Sequence, residues 1–260
     1  MLVWTPFLSV CEPLPGSVFL APESLPYRLH ELPPPHRAVK VVGGCASAYG
    51  VLGWLHARGR HADLVPPHAV PPALPHARYR LWEPNPFLQA IVEHNPPPHP
   101  SPLAIDLGCG SGREAVYLAD RGYRVVAVDR LLEALERGRR LQACYAPDSM
   151  SIVWVWHNLE TAPWHPPEPP HLVGLFFLFS RGLVLQAWEW LAPNGWLLME
   201  AFTAVHSQRC GRPASPARLA SQEAVQNLLP TEAIRHLSAD WRENGRHTLR
   251  LWAVKPPPSR

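Results

Sequence analysis

The stretch that decides the fold is residues 103–130, which read LAIDLGCGSGREAVYLADRGYRVVAVDR. Residues 103–107 form a short apolar run, which is typical of a strand buried on both faces of a sheet. A glycine-rich turn, a segment with apolar residues at helical spacing and a second apolar run follow, and Asp129 closes the stretch. Ser111 and Glu114 have the spacing of a capping box, which predicts that the helix begins there. This order of strand, turn, helix, strand and acid predicts a nucleotide site.

Three glycines and one acid define the ligand side of this unit. Gly108, Gly110 and Gly112 let a ligand approach the backbone closely, since glycine has no Cβ. Asp129 follows the glycines by about twenty residues, as in other nucleotide sites. Its carboxylate can accept hydrogen bonds from both hydroxyls of a ribose. The turn and the acid together therefore predict a bound nucleoside.

The turn differs from that of a dinucleotide site. A dinucleotide fingerprint reads G-x-G-x-x-G, whereas here the spacing is G-x-G-x-G and Arg113 stands at the third position after Gly110. Asp106 precedes the first glycine, and its charge would repel a pyrophosphate but suits a ligand with an ammonium group. S-adenosylmethionine fits this description, because it carries an amino-acid end, a sulfonium, a ribose and an adenine.

Residues 106–112 resemble a known motif. They read Asp-Leu-Gly-Cys-Gly-Ser-Gly, which is similar to motif I of the class I S-adenosylmethionine-dependent methyltransferases. The resemblance covers about residues 80–255 and implies S-adenosylmethionine as the cofactor. The residues that we assign to the cofactor on this basis are Asp106, Gly108, Cys109, Gly110, Gly112, Asp129, Arg130, Asn158, Leu159 and Phe179.

Residues 100–255 alternate between apolar strands and helical segments, and Asn244-Gly245 is a hairpin signal between the last two strands. Together with the resemblance, this pattern predicts an α/β fold with a Rossmann-like seven-stranded methyltransferase sheet, helices on both faces and the last strand antiparallel. Residues 172–179 are predicted to form the fourth strand. Residues 204–222 are polar, contain Gly and Pro, and are predicted to form a mobile loop.

Polar residues follow the third and fourth predicted strands. The family often has an Asp after the third strand that accepts a hydrogen bond from the adenine amino group. Asn158 stands there instead, and its side-chain oxygen can accept the same bond. The backbone N–H of Leu159 is predicted to bond the adenine ring. Ser180-Arg181-Gly182 follow the fourth strand, at the end where ligands of open α/β sheets bind.

The acceptor side is predicted from positive charge near these strand ends. Arg181 and His206 are the candidate catalytic residues, Arg181 as the partner of an anionic acceptor and His206 as a general base. The region also resembles the tellurite-resistance-type branch of the family, through Glu200-Ala201-Phe202-Thr203, His206, Arg209, Gly211-Arg212-Pro213 and Ser215-Pro216. We therefore predict methyl transfer to a small-molecule nucleophile, such as a thiol, an oxyanion or a similar acceptor.

Two other functions stay open at this point. One is an RNA or protein methyltransferase, with the N-terminal region presenting the macromolecule. Residues 179–182 read FSRG, however, where an amide-methylating enzyme has an Asn-Pro-Pro-Tyr-type tetrad. The other is a non-catalytic cofactor-binding or scaffold protein, against which the intact Asp106, glycines and Asp129 argue.

Residues 1–77 are predicted to form a small α/β unit of their own, ending in a proline-rich linker. The predicted elements are strands at 38–42 and 62–65 and a helix at 48–58. A cysteine, Cys45, heads the turn before the helix, which faintly resembles the second half of a rhodanese-like domain. Residues 46–49 depart from that family's Gly and Arg, so the unit is interpreted as degenerate. We predict two domains, residues 1–77 and 78–260, the second being the methyltransferase domain.

Composition limits the partners and the location of the protein. A net charge of +3 without a dense Lys/Arg cluster argues against a nucleic-acid partner. The five cysteines are scattered and odd in number, which favours reduced thiols in the cytoplasm over a disulfide framework. The sequence has no apolar run long enough to span a bilayer, and its histidines and cysteines lack metal-ligand spacing. We therefore expect a cytoplasmic protein with no membrane or metal partner, and the oligomeric state stays open.

Overall fold

The computed structural model describes residues 3–4, 18, 20, 22–44, 46–69, 80–97, 99–145 and 151–257. By internal packing the chain divides into two compact units, Met1–Glu83 and Pro84–Arg260. Within the described ranges, no helix is long and apolar enough to cross a membrane.

The N-terminal unit contains a small parallel sheet. Its strands are β1 (Val3–Trp4), β2 (Val39–Val42) and β3 (Ala62–Val65). They lie in the order β1-β2-β3, and helix α1 (Ala46–His56) connects β2 to β3. A parallel pair needs such a crossover, because a tight hairpin joins only antiparallel strands. The unit also has 3-10 helices at Pro22–Tyr27, Leu29–Glu31 and Pro67–Ala69. Cys45 lies outside the described residues.

The second unit is built on a sheet of seven strands. These strands are β4 (Leu103–Leu107), β5 (Arg124–Asp129), β6 (Ile152–Trp156), β7 (Leu172–Phe176), β8 (Trp196–Phe202), β9 (Ile234–Trp241) and β10 (His247–Val254). They lie in the order β6-β5-β4-β7-β8-β10-β9, and β10 runs antiparallel to both of its neighbours. The predicted α/β, Rossmann-like sheet with an antiparallel last strand is therefore confirmed.

The order of the strands places a crevice at the centre of this sheet. The helices of the unit are α2 (Pro86–His94), α3 (Arg113–Asp120), α4 (Leu132–Tyr145), α5 (Arg181–Trp190), α6 (Ala204–Cys210) and α7 (Gln222–Gln226), with 3-10 helices at Pro216–Arg218 and Thr231–Ala233. The central strands β4 and β7 are buried along their whole length. From β4 the chain passes to β5 and β6 on one side and then returns to β7 on the other. Ligands of open α/β sheets bind at such a reversal, outside the carboxyl ends of the strands.

The predicted capping box does not form. Gly112 is the N-cap of α3, has a left-handed φ of 75° and makes no side-chain cap, so that the helix begins at Arg113 rather than after Ser111. Glu114 Oε1 instead accepts a hydrogen bond of 3.0 Å from the backbone N–H of Asn85. The left-handed glycine turns the chain into the helix one residue later than the side-chain pattern indicates.

Two other segments differ from the sequence prediction. Strand β7 ends at Phe176, because Phe177 has a left-handed φ of 61° that no extended strand can contain. Residues 204–222, predicted to be a loop, instead begin with helix α6. Thr203 caps this helix, since its Oγ1 accepts a hydrogen bond of 3.4 Å from the backbone N–H of His206. The loop prediction overlooked that N-cap.

Candidate active site

The glycine-rich turn between β4 and α3 brings backbone next to open space. Gly108 and Gly110 have φ values of 70° and 53°, a region that glycine adopts without steric cost. A Cβ built at Gly110 would meet no atom within 4 Å, whereas one built at Gly112 would lie 2.3 Å from the ring of Trp154. Gly110 therefore leaves room for a ligand, and Gly112 makes room for a side chain of β6.

Asp129, at the end of β5, holds this turn in place. Its Oδ2 accepts a hydrogen bond of 2.8 Å from the Gly110 N–H, and its Oδ1 accepts one of 2.8 Å from the Leu131 N–H. A carboxylate has about four lone-pair positions, so each oxygen can accept a further bond. The structure thus fixes the carboxylate beside the turn and leaves acceptor capacity for a ligand.

Asp106, in β4 below the turn, is a buried acid with an unpartnered oxygen. Its side chain is 2% exposed, and its Oδ2 has no hydrogen-bond partner among the described residues. Burial raises its pKa well above the ordinary value, the charges of Glu114 and Asp129 raise it further, and a hydrogen bond from the Ala115 N–H opposes them. A buried acceptor without a partner is costly. The site can therefore gain by receiving a positively charged donor.

A cavity of about 200 Å³ opens at the carboxyl ends of β4, β5 and β7. It brings together five of the predicted cofactor residues, namely Gly108, Asp129, Arg130, Asn158 and Leu159. The turn and the acid therefore meet the residues that follow β6. Phe177, which the sequence did not single out, lines the cavity from the β7 side.

Asn158 and Leu159 present different groups at this cavity. Asn158 Oδ1 accepts a hydrogen bond of 3.0 Å from the Glu160 N–H, so the side chain already holds its own turn. The backbone N–H of Leu159, in contrast, makes no hydrogen bond within the described part of the chain. Leu159 therefore has a donor to offer, whereas Asn158 can offer one remaining lone pair of its oxygen and its amide hydrogens.

Glu160 links two arginines beside the cavity. It lies 3.7 Å from Arg130 Nη1 and 2.5 Å from Arg218 Nη2. These pairs connect the loops after β5 and β6 to the 3-10 helix after α6. All three side chains are about half exposed, so each pair stabilises the fold by less than about 1 kcal/mol.

Beyond Phe177, aromatic rings form a short surface with one cation over it. The Phe177 and Phe202 ring centroids are 5.2 Å apart, and those of Phe202 and His206 are 4.5 Å apart with the rings nearly parallel at 17°. The guanidinium carbon of Arg246 lies 4.9 Å from the Phe177 centroid and 5.9 Å from that of Phe202. We call these four residues the aromatic–Arg246 cluster. No spacing in the sequence signals it, because its members follow or precede three different strands.

His206 has a defined hydrogen-bonding role in this cluster. Its Nδ1 accepts a hydrogen bond of 3.3 Å from the backbone N–H of His247, so in the neutral ring Nε2 carries the hydrogen. Burial lowers the pKa of His206, and Arg246 and His247 lower it further. The geometry therefore favours a neutral hydrogen-bond donor at Nε2 over a general base, while the catalytic role of His206 stays a prediction.

Three further predicted residues lie away from the cavity wall. Phe179 is 4% exposed and packs in the hydrophobic core of the unit. Cys109 is also buried, and burial together with the nearby carboxylates raises the pKa of its thiol, so that it stays protonated. Arg181 is the first residue of α5, is exposed and does not line the cavity.

Comparison with known proteins identifies the family. A family model of a methyltransferase domain matches residues 78–249. The structure of the YcgJ protein from Bacillus subtilis is 12% identical in sequence and has a TM-score of 0.51. The match covers 66% of this chain and 99% of the YcgJ chain. Magnesium protoporphyrin IX methyltransferase from Synechocystis PCC 6803, solved with bound S-adenosylhomocysteine, is 15% identical and has a TM-score of 0.50. That match covers 65% of this chain and 80% of the Synechocystis chain. These structures share the fold. No curated protein sequence matches the chain significantly.

The family match spans more than half of the chain, so the protein belongs to the methyltransferase domain family. The predicted S-adenosylmethionine-dependent methyltransferase is confirmed, and S-adenosylmethionine is its cofactor. The site fits this group, because the open space at Gly110 admits a ligand to the backbone and the unpartnered Oδ2 of Asp106 can receive positive charge.

Proposed function

We propose that the enzyme transfers the methyl group to a small-molecule nucleophile, such as a thiol, an oxyanion or a similar acceptor. The observation that carries this proposal is the cavity of about 200 Å³, whose lining includes Gly108 and Asp129 as well as Phe177. One wall thus carries the groups suited to a nucleoside, and the other begins a small surface of aromatic rings. A surface of only a few rings suits a small acceptor molecule rather than a macromolecule.

The predicted cofactor contacts are part of the proposal. Asp129 would accept from the ribose hydroxyls, and the free N–H of Leu159 would bond the adenine ring next to Asn158. Asp106 and the backbone of the glycine turn would lie near the amino-acid end of the cofactor. The ammonium group there would donate a hydrogen bond to the unpartnered Oδ2 of Asp106. Arg130 would stay at the rim beside Glu160. We assign supporting positions under the site to the buried residues Cys109, Gly112 and Phe179.

The main task of the chain's own residues is then to position the acceptor and to exclude water around it. When bound, S-adenosylmethionine supplies a methyl group on a sulfonium, so that the acceptor's lone pair takes the methyl and the electron pair of the broken carbon–sulfur bond stays on sulfur. A proton lost from a neutral acceptor passes to water. Holding two reactants in line can contribute about 7–11 kcal/mol to catalysis. A strong general base is therefore not required.

Arg181 and His206 are proposed for the acceptor side. Both follow strands that end at the crevice, Arg181 after β7 and His206 after β8. His206 would donate from Nε2 to an anionic acceptor, and the exposed guanidinium of Arg181 would supply long-range positive charge. The tellurite-resistance-type branch stays a proposal that rests on the resemblance of residues 200–216.

We also propose the domain arrangement and the location predicted from the sequence. The family match that begins at residue 78 supports a boundary between residues 77 and 78. The parallel β2-α1-β3 unit supports a degenerate rhodanese-like N-terminal unit. Cys109 and Cys210, which form no disulfide within the described part of the chain, agree with a cytoplasmic protein.

Calorimetric titration with S-adenosylmethionine tests the cofactor part of the proposal. An ammonium group near Asp106 is expected to lower the raised pKa of its carboxyl, so binding releases a proton and the measured enthalpy depends on the buffer. Asp106→Asn should bind without that dependence. An affinity for S-adenosylmethionine that is unchanged in Asp106→Asn would contradict an ammonium beside Asp106, because the variant removes the carboxylate charge.

Methylation of candidate acceptors tests the second part. The protein would be incubated with methyl-labelled cofactor and, separately, thiols, oxyanions, transfer RNA and a protein lysate. The label is expected in a small-molecule fraction. Label that appears only in RNA or only in protein would overturn the proposal, while the cofactor titration would still stand.

A further inference from the structure

We infer that the aromatic–Arg246 cluster is the acceptor site, and that it takes a planar, conjugated molecule carrying an anionic group. The cluster consists of Phe177, Phe202, His206 and Arg246, as defined above. The inference rests on the proposed function, because the transferred methyl must come from the neighbouring cavity. Phe177 belongs to both, since it lines the cavity and contacts Phe202.

Phe177 is held in an unusual state at this junction. It is 39% exposed and has a left-handed φ of 61°, which costs a residue with a Cβ free energy that glycine would not lose. Its backbone N–H donates a hydrogen bond of 2.7 Å to the carbonyl oxygen of Glu200 in β8, which keeps the strained turn in place. Core packing does not explain an exposed ring on a strained backbone. Contact between that ring and a ligand does explain it.

The other two rings continue the cluster away from the cavity, Phe202 being partly exposed and His206 buried at 8% exposure. Phe202 is tilted by 36° against Phe177 and lies nearly parallel to His206, at 17°. Aromatic side chains that lie side by side favour flat partners, because offset stacking and edge contacts both need a conjugated ring. The hydrogen that His206 carries at Nε2 adds a polar group to the cluster, as expected for a site that orients its ligand.

Arg246 provides the charge of the cluster. The side chain is exposed, and among the described residues no carboxylate lies within ion-pair distance of it. Its two neighbours on the same hairpin differ in this respect, since Arg242 and Arg250 approach Glu200 Oε1 and Oε2 at 3.9 and 3.1 Å. The guanidinium lies over the Phe177 and Phe202 rings and keeps its N–H groups available. A carboxylate or phenolate on a ligand stacked there would complete a charge-assisted pair.

Binding of hydroxynaphthoate, a flat fluorescent anion with a hydroxyl nucleophile, tests the inference without requiring turnover. Fluorescence anisotropy would follow its binding to the full chain, with naphthol as the neutral analogue and hydroxycyclohexane carboxylate as the non-planar one. We expect hydroxynaphthoate to bind more tightly than either. Arg246→Gln is expected to weaken its binding about ten- to a hundredfold and that of naphthol less than about threefold. Arg235→Gln, an exposed arginine of β9, is the matched control and should change neither.

Phe177→Gly separates the role of the ring from folding. Glycine accepts the left-handed backbone, so relief of strain offsets the lost contacts of a half-exposed ring and the melting temperature should change little. Hydroxynaphthoate binding should nevertheless fall about tenfold or more. Asn194→Gly, at an exposed left-handed residue with φ of 63°, is the control and should leave binding intact.

The outcomes distinguish this inference from the proposed function. Cofactor affinity, measured in parallel by calorimetry, should be the same in wild type and Arg246→Gln, because Arg246 does not line the cavity. A wild type that binds S-adenosylmethionine but not hydroxynaphthoate, or binds it equally well in both variants, overturns the acceptor site alone. A wild type that methylates only flexible aliphatic thiols also overturns it. A wild type that binds no S-adenosylmethionine overturns the proposed function instead.

Discussion

Asp129→Ala tests how the cofactor is held, because this carboxylate serves both the protein and the proposed ligand contact. Its Oδ2 and Oδ1 accept hydrogen bonds of 2.8 Å each from the N–H groups of Gly110 and Leu131. Its remaining lone pairs are those proposed for the ribose hydroxyls. The substitution therefore removes two internal bonds and one ligand contact, and the two losses have to be measured separately.

The size of each loss follows from the geometry. Hydrogen bonds to charged groups contribute about 1.5–3 kcal/mol each when buried, and Asp129 is half-buried, so the two backbone bonds together contribute about 2–3 kcal/mol to the free energy of unfolding. For a unit of this size that lowers the melting temperature by about 4–12 °C. Loss of a bidentate ribose contact worth about 1.5–3 kcal/mol weakens cofactor binding about ten- to more than a hundredfold.

The assay is calorimetric titration with S-adenosylmethionine, well below the melting temperature of the variant, together with a thermal melt. Asp240→Ala is the control, because Asp240 also accepts a backbone N–H, that of Trp241 at 2.7 Å, but lies exposed on β9. The control should keep the affinity of the wild type. An Asp129→Ala protein with lowered stability and unchanged affinity would refute the reasoning, since the ribose would then be held elsewhere.

Three other substitutions or conditions test further parts of the structure. Gly112→Ala is expected to destabilise the protein by about 2–4 kcal/mol, because its backbone is left-handed and its Cβ would lie 2.3 Å from the Trp154 ring; an unchanged melting temperature would contradict this packing. Arg181→Ala is expected to lower kcat/KM less than about fivefold at unchanged cofactor affinity, because an exposed charge that acts at long range contributes less than about 1 kcal/mol, whereas equal losses in rate, affinity and stability would indicate a structural role. Burial lowers the pKa of His171 and of His206, so below about pH 6.5 the unfolded state takes up more protons at these two residues than the folded state does; the change in melting temperature from about pH 7 to about pH 5 should therefore be more negative in the wild type than in the double variant His171→Gln, His206→Gln, and an equal change in both would speak against this linkage.

Local patterns in the sequence predicted the frame of the fold well and its junctions less well. The strands and their alternation with helices were predictable, because burial on both faces of β4 and β7 leaves an apolar run in each. The capping box failed because the left-handed Gly112 moves the helix start, and the loop prediction missed the Thr203 cap of α6. The predicted end of β7 at residue 179 was wrong, because a phenylalanine gives no sign in the sequence that its backbone is left-handed, as that of Phe177 is.

The sequence by itself determined the cofactor half of this protein, and only the tertiary structure decided the other half. The turn and Asp129 lie within one continuous β-α-β stretch, so the spacing of residues along the chain already brings them together. The aromatic–Arg246 cluster, in contrast, takes Phe177 from just after β7, Phe202 from the end of β8, His206 from the following helix α6 and Arg246 from just before β10. These segments are distant in sequence and become neighbours because β7 pairs with β8 in parallel and β10 inserts antiparallel on the other side of β8. Strand order arises from the packing of the whole sheet, so no short pattern could encode it.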